Sequence, residues 1–197
     1  MIRRPRPNEI KLLPQIEKEA DERYAQVGLR QVLAMPPASL ASLERARCDG
    51  RLWVAVSPVG RVVGFALMKF PGGTAWLDQL SVLERWQGHG LGSALIDRAA
   101  GHARALGFDA LHLSTYLGVA WNAPFYARRG FTAVARGGWP RAFRLQFMIE
   151  NSHGHPPWRR TIMQRSTGPP YSAATAKPIC SQVGATSDTV ARRMSRW

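Results

Sequence analysis

The sequence predicts a mixed α/β (α+β) fold, in which helices flank a mostly antiparallel central sheet. Three observations lead to this class. Strand-like segments at residues 52–56, 61–68 and 74–82 follow one another across short turns, which is typical of an antiparallel meander. A glycine-rich loop at residues 87–93 then leads into a helical pattern and a further strand. Apolar residues make up 45% of the 197 residues, which is enough for one packed core.

The N-terminal segment predicts a short edge strand at residues 2–4, followed by a helix. Pro14 fits the first turn of a helix that starts near Leu13. The charged residues of this helix, which include Glu17 and Asp21, are interpreted as a solvated face. A second helix is predicted at residues 39–48. Apolar residues recur in the first helix at spacings of three and four: Ile10, Leu13, Ile16 and Ala20.

The segment after the meander predicts a helix at residues 92–106 and a strand around Leu111 and Leu113. A strand–helix–strand connection is usually parallel and right-handed. The sheet is therefore expected to be antiparallel in its first half, with one parallel crossover in the middle.

The C-terminal part ends in a change of composition. Serine, threonine, alanine, glycine and proline dominate residues 166–197 and apolar periodicity is lost, so a disordered, basic C-terminal tail is predicted there. Residues 1–165 are predicted to be the folded domain. Its last elements are a short helix at 122–129, a strand at 131–135, a helix at 140–150 and a strand at 159–165.

The formal net charge of +14 raises nucleic-acid binding as an alternative function. Seven basic residues and one acid lie within residues 151–197, whereas the arginines of the remaining chain are scattered. A basic body also suits a co-substrate that carries several phosphates. The charge alone therefore does not indicate nucleic acid.

The cysteines, the length of the apolar runs and the histidines indicate where the protein is located and whether it holds a metal. Cys48 and Cys180 are predicted to be free thiols in a reducing compartment, so the cytoplasm is the expected location. No apolar run reaches the length of about 18 residues that a membrane span needs. His153 and His155 have no cysteines or acids at metal-ligand spacing, so no metal is expected.

The glycine-rich loop, Gln87 to Ser93, admits several interpretations. A P-loop ends in Gly-Lys-Ser/Thr, which is missing here. A dinucleotide fingerprint that starts at Gly88 requires glycine where Ser93 stands. A purely structural glycine-rich turn stays open. Unpaired backbone N–H groups at the start of the following helix suit a phosphate group.

Two stretches resemble landmarks of the GCN5-related N-acetyltransferase (GNAT) superfamily. Gln87, Gly90 and Gly92 fill its Gln/Arg-x-x-Gly-x-Gly/Ala signature, and the preceding Leu80-Ser81-Val82 resembles the end of the family's strand before it. The segment from Trp121 to Phe131 resembles a second landmark, an asparagine-containing stretch that ends in Tyr-x-x-x-Gly-Phe. The order of elements agrees from about residue 1 to 165.

The resemblance implies acetyl-CoA as co-substrate and no metal. It implies that two neighbouring strands splay into a V, so that residues 80–82 pair with the pantetheine arm of acetyl-CoA, while the loop and the helix N-terminus bind its pyrophosphate. The residues expected to contact it are Leu80, Ser81, Val82, Gln87, Gly88, His89, Gly90, Leu91, Gly92, Ser93 and Asn122.

The implied reaction is the attack of a neutral amine on the acetyl thioester, which needs a proton acceptor and a proton donor. Tyr126 matches the tyrosine that protonates or hydrogen-bonds the departing thiolate in many relatives. Asp78 matches a carboxylate that draws the amine's proton through water in some of them, with an ordinary polar strand residue as the alternative. Ser114 stands where certain protein-acetylating relatives carry a glutamate. Asn122 departs from the commonest pattern, because it lies four residues before Tyr126 rather than seven.

The acceptor is expected to be a primary amine of a small molecule, acetylated by direct attack in a ternary complex. A protein or peptide N-terminus or lysine is the alternative acceptor, and a non-catalytic acyl-CoA sensor and a nucleic-acid-binding protein are the alternative functions. The variable segment at residues 24–39 is expected to select the acceptor, and the loops of Trp139 and Trp158 to border its cleft. Oligomeric state is left open, with a homodimer as one arrangement.

Overall fold

A computed structural model describes residues 1–168. Within them a seven-stranded sheet has the order β1-β2-β3-β4-β5-β7-β6. The strands are β1 (Ile2–Arg3), β2 (Leu52–Val56), β3 (Val62–Lys69), β4 (Ala75–Val82), β5 (Ala110–Tyr116), β6 (Thr132–Ala133) and β7 (Arg160–Ser166). The α-helices of this part of the chain are α1 (Leu13–Asp21), α2 (Leu40–Cys48), α3 (Leu91–Ala105), α4 (Ala123–Ala127) and α5 (Arg141–Ser152).

The sheet is antiparallel at every pairing except β4 with β5, which is parallel. The predicted meander is β2-β3-β4, and α3 forms the crossover to β5. Every residue of β2 and every residue of β3 before Lys69 is buried, without the alternation of a half-exposed strand. Both faces of the sheet centre are therefore covered.

The helix ends follow from local sequence. Pro14 lies in the first turn of α1, where a missing backbone N–H costs no hydrogen bond. Ser39 caps α2, because its side chain accepts a hydrogen bond from the Ser42 N–H at 3.2 Å. Gly90 precedes α3 with a left-handed φ of 76°, which favours glycine.

Strands β4 and β5 separate after their first residues. Their pairing is limited to Ala75 with Leu111 and Trp76 with His112, whereas β5 pairs with β7 from Ala110 to Tyr116. Residues 77–82 of β4 consequently have no strand partner on the β5 side. The V-shaped splay expected from the resemblance is present.

An irregularity in β4 lies at the start of this gap. Leu67 of β3 pairs with Gln79, but the next residue, Met68, pairs with Leu77. Asp78 is thus the extra residue of a β-bulge, which bends the strand and re-aims side chains.

The end of the described chain is joined to the fold. Ser166 completes β7, and the Thr167 N–H donates to the Asp109 carbonyl at 2.9 Å. The predicted tail begins at 166, so its first residue belongs to the last strand, and 169–197 lie outside the described residues. No helix of the described part is long and apolar enough to cross a membrane.

Candidate functional site

The glycine loop forms a turn that ends at the N-terminus of α3. Gly88 and Gly90 adopt φ values of 78° and 76°, which L-residues with a side chain rarely adopt. The Ala94 N–H makes the first backbone hydrogen bond back to Gly90. The N–H groups before it are left for other acceptors, as at any helix start. This arrangement provides the N–H row and the helix dipole that an anionic group requires.

Gln87 holds the loop against the end of β4. Its Nε2 donates to the Val82 carbonyl at 2.8 Å, and its Oε1 accepts a hydrogen bond from Arg23. The side chain is thus occupied by protein groups and acts on the loop by positioning it. The exposed His89 ring lies 2.9 Å from the Gln87 carbonyl through Nδ1.

The two sequence landmarks are in direct contact. A Cβ on Gly92 would lie 3.2 Å from the Phe125 ring, so glycine lets α4 pack closely on the first turn of α3 without a shift of that ring. Arg129 joins the same contact, because its Nε donates to Ser93 Oγ at 2.6 Å and its guanidinium lies 3.6 Å from the Phe125 ring centroid. The loop that precedes α3 and the helix that carries Tyr126 therefore form one unit.

A cavity of about 650 Å³ opens beside the splayed strands. Of the residues expected at the site, those that line it are Asp78, Leu80, Ser114, Asn122 and Tyr126. The glycine loop, Ser81 and Val82 lie outside it, and Ser81 is buried at the end of β4.

The variable segment at residues 24–39 contributes Tyr24 and Met35 to the cavity wall. The expectation for the loops of Trp139 and Trp158 holds in part. Trp139 packs in a separate apolar cluster, and no residue of its loop lines the cavity. Trp158 is 76% exposed and does not line the cavity, but His153 and His155 of its loop do.

Carboxyl groups of α1 face this cavity, which corrects the prediction of a solvated face. Glu17 and Asp21 are half-buried and line the wall, while Lys18 and Glu22 are exposed at its edge. Burial raises the pKa of Glu17 to about 7, although its carboxylate accepts the Ala38 N–H at 3.1 Å. Burial, together with the charge of Glu17, raises the pKa of Asp21 to about 7.

Asp78 lines the same cavity and forms an ion pair. Its Oδ2 is 2.9 Å from Lys69 Nζ. Burial raises the pKa of Asp78, and the Lys69 ammonium opposes that rise. The charge of Asp78 in turn raises the pKa of Glu17, so the two carboxyls act within one field.

Tyr126 and Asn122 occupy the α4 side. Burial holds the pKa of the Tyr126 hydroxyl above its usual value, so it stays protonated at neutral pH. Asn122 is 6% exposed, and its amide nitrogen lies 3.0 Å from the Tyr24 hydroxyl. The Asn122 carbonyl also accepts the Tyr126 N–H at 3.0 Å. Asn122 thereby connects Tyr126 to the variable segment.

A further set of polar residues lines the cavity and was not predicted from the sequence: Tyr116, Glu150, His155 and Arg160. The Tyr116 hydroxyl lies 2.5 Å from His155 Nδ1, and burial lowers the pKa of His155 to about 3. Arg160 is 6% exposed, and its Nη2 lies 2.9 Å from Glu150 Oε2. These residues come from β5, α5, β7 and a loop, so no local spacing reveals them.

Comparison with known proteins agrees with this geometry. Residues 15–131 match the family model described as "Acetyltransferase (GNAT) family". The solved structure of Rv2747 from Mycobacterium tuberculosis, in complex with CoA and NLQ, is 20% identical with a TM-score of 0.62 and covers 84% of this chain and 98% of its own.

Two further structures have the same fold. N-acetylglutamate synthase from Neisseria gonorrhoeae, complexed with coenzyme A and N-acetyl-glutamate, is 19% identical with a TM-score of 0.61 and covers 85% of this chain but 35% of its own. The ribosomal-protein-S18-alanine N-acetyltransferase from Escherichia coli is 18% identical with a TM-score of 0.57, covering 85% of this chain and 93% of its own.

Proposed function

This chain belongs to the acetyltransferase (GNAT) family and is an acetyl-CoA-dependent N-acetyltransferase, and we propose that its acceptor is the primary amine of a small molecule. The acetyl group passes directly to the amine in a ternary complex. The observation that carries the proposal is the carboxyl-lined cavity beside the gap between β4 and β5.

The residues fit acetyl-CoA in two places. The unpaired edge of residues 80–82 offers backbone groups to the amides of the pantetheine arm, as a further strand would. The N–H groups of residues 88–93 and the dipole of α3 suit the pyrophosphate. When bound, acetyl-CoA supplies the thioester whose carbonyl carbon the amine attacks. Among residues 1–168 no group of three or more potential metal ligands comes together.

The acceptor must lose a proton before or during the attack, since an ammonium ion has no free electron pair. Glu17 is suited to take it, because a carboxyl with a pKa of about 7 is a proton acceptor near neutral pH. Asp78, which lines the same cavity, is the second candidate base. Its ion pair with Lys69 opposes protonation of its carboxylate, which makes Glu17 the first choice.

Tyr126 serves the departing thiolate. As the new C–N bond forms and the C–S bond breaks, the sulfur gains an electron pair that a hydroxyl can stabilise or protonate. Burial keeps the Tyr126 hydroxyl protonated, and Asn122 fixes the first turn of its helix. Catalysis of this type contributes roughly 10²–10⁴-fold.

The cavity favours a small, cationic acceptor. Its volume lies within the range of about 300–1,000 Å³ that is typical of small-molecule sites. The carboxyls of Glu17, Asp21 and Asp78 attract an ammonium ion and can hold it until it is deprotonated.

An acceptor panel tests the proposal. Free thiol release from acetyl-CoA is followed with polyamines, aminoglycosides and amino acids on one side, and with peptides carrying a free N-terminus or lysine on the other. We expect kcat/KM to be higher for a member of the small-molecule set. Faster acetylation of a peptide would establish the alternative acceptor. Binding of acetyl-CoA without turnover of any amine would indicate an acyl-CoA sensor.

A cytoplasmic location is expected from the sequence, because its two cysteines are predicted to be free thiols in a reducing compartment. The oligomeric state is open, with a homodimer as one arrangement.

A further inference from the structure

Arg160 has two guanidinium nitrogens without a hydrogen-bond partner. It is the first residue of β7, lines the cavity and is 6% exposed. Nη2 is paired with Glu150, but neither Nε nor Nη1 finds an acceptor among residues 1–168. A guanidinium carries five N–H donors and cannot lose its charge, so burying it with unmet donors costs free energy.

The neighbouring polar groups do not meet this need. The Tyr116 hydroxyl is engaged with His155, and the Tyr24 hydroxyl with Asn122. Glu150 Oε2 forms an ion pair with Nη2 at 2.9 Å, but it accepts no hydrogen bond from Nε or Nη1. A molecule that enters the cavity can supply acceptors for these two nitrogens.

Guanidinium groups pair best with anionic oxygens, above all those of carboxylates and phosphates. The carboxyls of Glu17, Asp21 and Glu150, which line the same cavity, disfavour a doubly charged phosphate. A single carboxylate presents less charge and still offers two oxygens.

We propose that the acceptor is an amino acid or a similar zwitterion, whose carboxylate oxygens accept hydrogen bonds from Arg160 while its amine faces Glu17 and Asp78. This inference rests on the proposed function, since it adds a second recognition group to the small-molecule amine. Arg160, Glu17 and Asp78 line the same cavity of about 650 Å³, so one small molecule bound there can meet charges of both signs.

Matched acceptor pairs test the inference. Each L-amino acid is compared with its own amide, which keeps the side chain and the amine but replaces the carboxylate. The amine of an amide loses its proton more readily, so a preference for the carboxylate cannot arise from amine basicity. In the wild-type enzyme we expect kcat/KM to be about 10- to 100-fold higher for the carboxylate of the best pair, mainly through KM.

Arg160→Gln should bring that ratio down toward one. Arg165→Gln is the matched control, because Arg165 lies on the same strand but pairs with Asp97 outside the cavity, and it should keep the wild-type ratio. Acetyl-CoA affinity reports whether each variant is folded. Arg160→Lys is the second variant, because it keeps the charge and loses the Nε and Nη1 donors.

The outcomes separate the two proposals. Equal kcat/KM for carboxylate and amide throughout the panel, with amides or polyamines acetylated, would overturn the zwitterion and leave the small-amine function intact. A carboxylate preference that survives in Arg160→Gln and Arg160→Lys would also overturn it. No thiol release with any acceptor would contradict the proposed function and the inference together.

Discussion

Burial acts on two residues of the site with opposite chemical results. It raises the pKa of Tyr126 further above neutrality, so the hydroxyl keeps its proton and can donate it. It raises the pKa of Glu17 to about 7, so the carboxylate can gain a proton under the same conditions. One physical cause thus prepares a donor on α4 and an acceptor on α1.

Tyr126→Phe should lower kcat by about 10²-fold or more, because the ring is kept and only the hydroxyl that serves the thiolate is lost. Acetyl-CoA affinity should stay within about twofold of the wild type, because the loop and the β4 edge are untouched. Single-turnover thiol release measures the first quantity and calorimetry the second. An unchanged kcat would assign the proton transfer to another group.

Glu17→Gln should abolish the rise of kcat/KM with pH. In the wild type, kcat/KM should rise with pH and level off above about 7, because the base must be ionised to accept a proton. The variant should be slower and lack that rise. Glu19→Gln, on the same helix but outside the cavity, is the control and should keep it. A rise that persists in Glu17→Gln and vanishes in Asp78→Asn would make Asp78 the base.

The same variant has a stability signature. The pKa of Glu17 is higher in the folded protein than in the unfolded chain. Its contribution to folding stability is therefore fully present at pH values below the unfolded pKa, and it is lost as the pH rises through about 7. Glu17→Gln should therefore unfold at a higher temperature than the wild type at pH 8, and at a similar temperature at pH 4. Thermal unfolding at both pH values provides this check.

Among the secondary-structure elements, the loop and α3 are the ones that we propose hold acetyl-CoA. Gly90 is favoured by its left-handed φ, whereas at Gly92 a Cβ would lie 3.2 Å from the Phe125 ring and would require the ring to shift slightly. The splay of β4 from β5 provides the neighbouring edge. The two glycines thus have different physical reasons within the same motif.

Gly90→Ala should weaken acetyl-CoA binding by about tenfold or more, because an L-residue in the left-handed region costs roughly 1–2 kcal/mol and the turn would shift. Gly101→Ala in the same helix is the matched control. A Cβ at Gly101 meets nothing within 4 Å, so binding should be unchanged and the helix more stable by about 0.5–1 kcal/mol. Equal affinities in the two variants would remove the loop from the binding site.

At this scale much was predictable from sequence. Turn residues and periodicity predicted the meander, the crossover and the extent of α2, because these depend on neighbours in the chain. The bulge at Asp78 was not predictable, since register is set by packing between strands. Periodicity identified the polar face of α1. Polar residues occupy a helix face whether that face meets bulk water or a polar cavity, so the sequence predicts Glu17 to lie in solvent.

The cavity residues Arg160 and Glu150 were not predicted, for a related reason. Arg160 and Glu150 belong to different elements, and their pairing depends on how α5 packs beside β7. A basic residue at the start of a strand is ordinary in a sequence with many arginines. Its unmet donors become visible only in three dimensions.

At the scale of the whole molecule, all seven strands of the described sheet lie within residues 1–168. β7 pairs with both β5 and β6, and Thr167 is bonded to Asp109. The cavity, the loop and the splayed strands all lie within residues 1–168. We therefore propose that residues 1–168 carry the acetyltransferase function.

Deletion of residues 169–197 should leave acetyl-CoA affinity and thiol release within about twofold of the full chain. The deletion also tests the nucleic-acid alternative, which predicts DNA binding that falls steeply with salt and is lost with the basic C-terminal residues. Calorimetry and a salt series of DNA titrations measure the two properties. Loss of turnover on deletion would place part of the site in 169–197.

Amine-dependent release of free coenzyme A from acetyl-CoA, measured together with the acetylated amine, tests the central claim most directly. The full-length enzyme should release one thiol for each acetyl group found on the acceptor, at a rate that depends on the amine. No thiol release above background with any amine, or thiol release without an acetylated product, would contradict it.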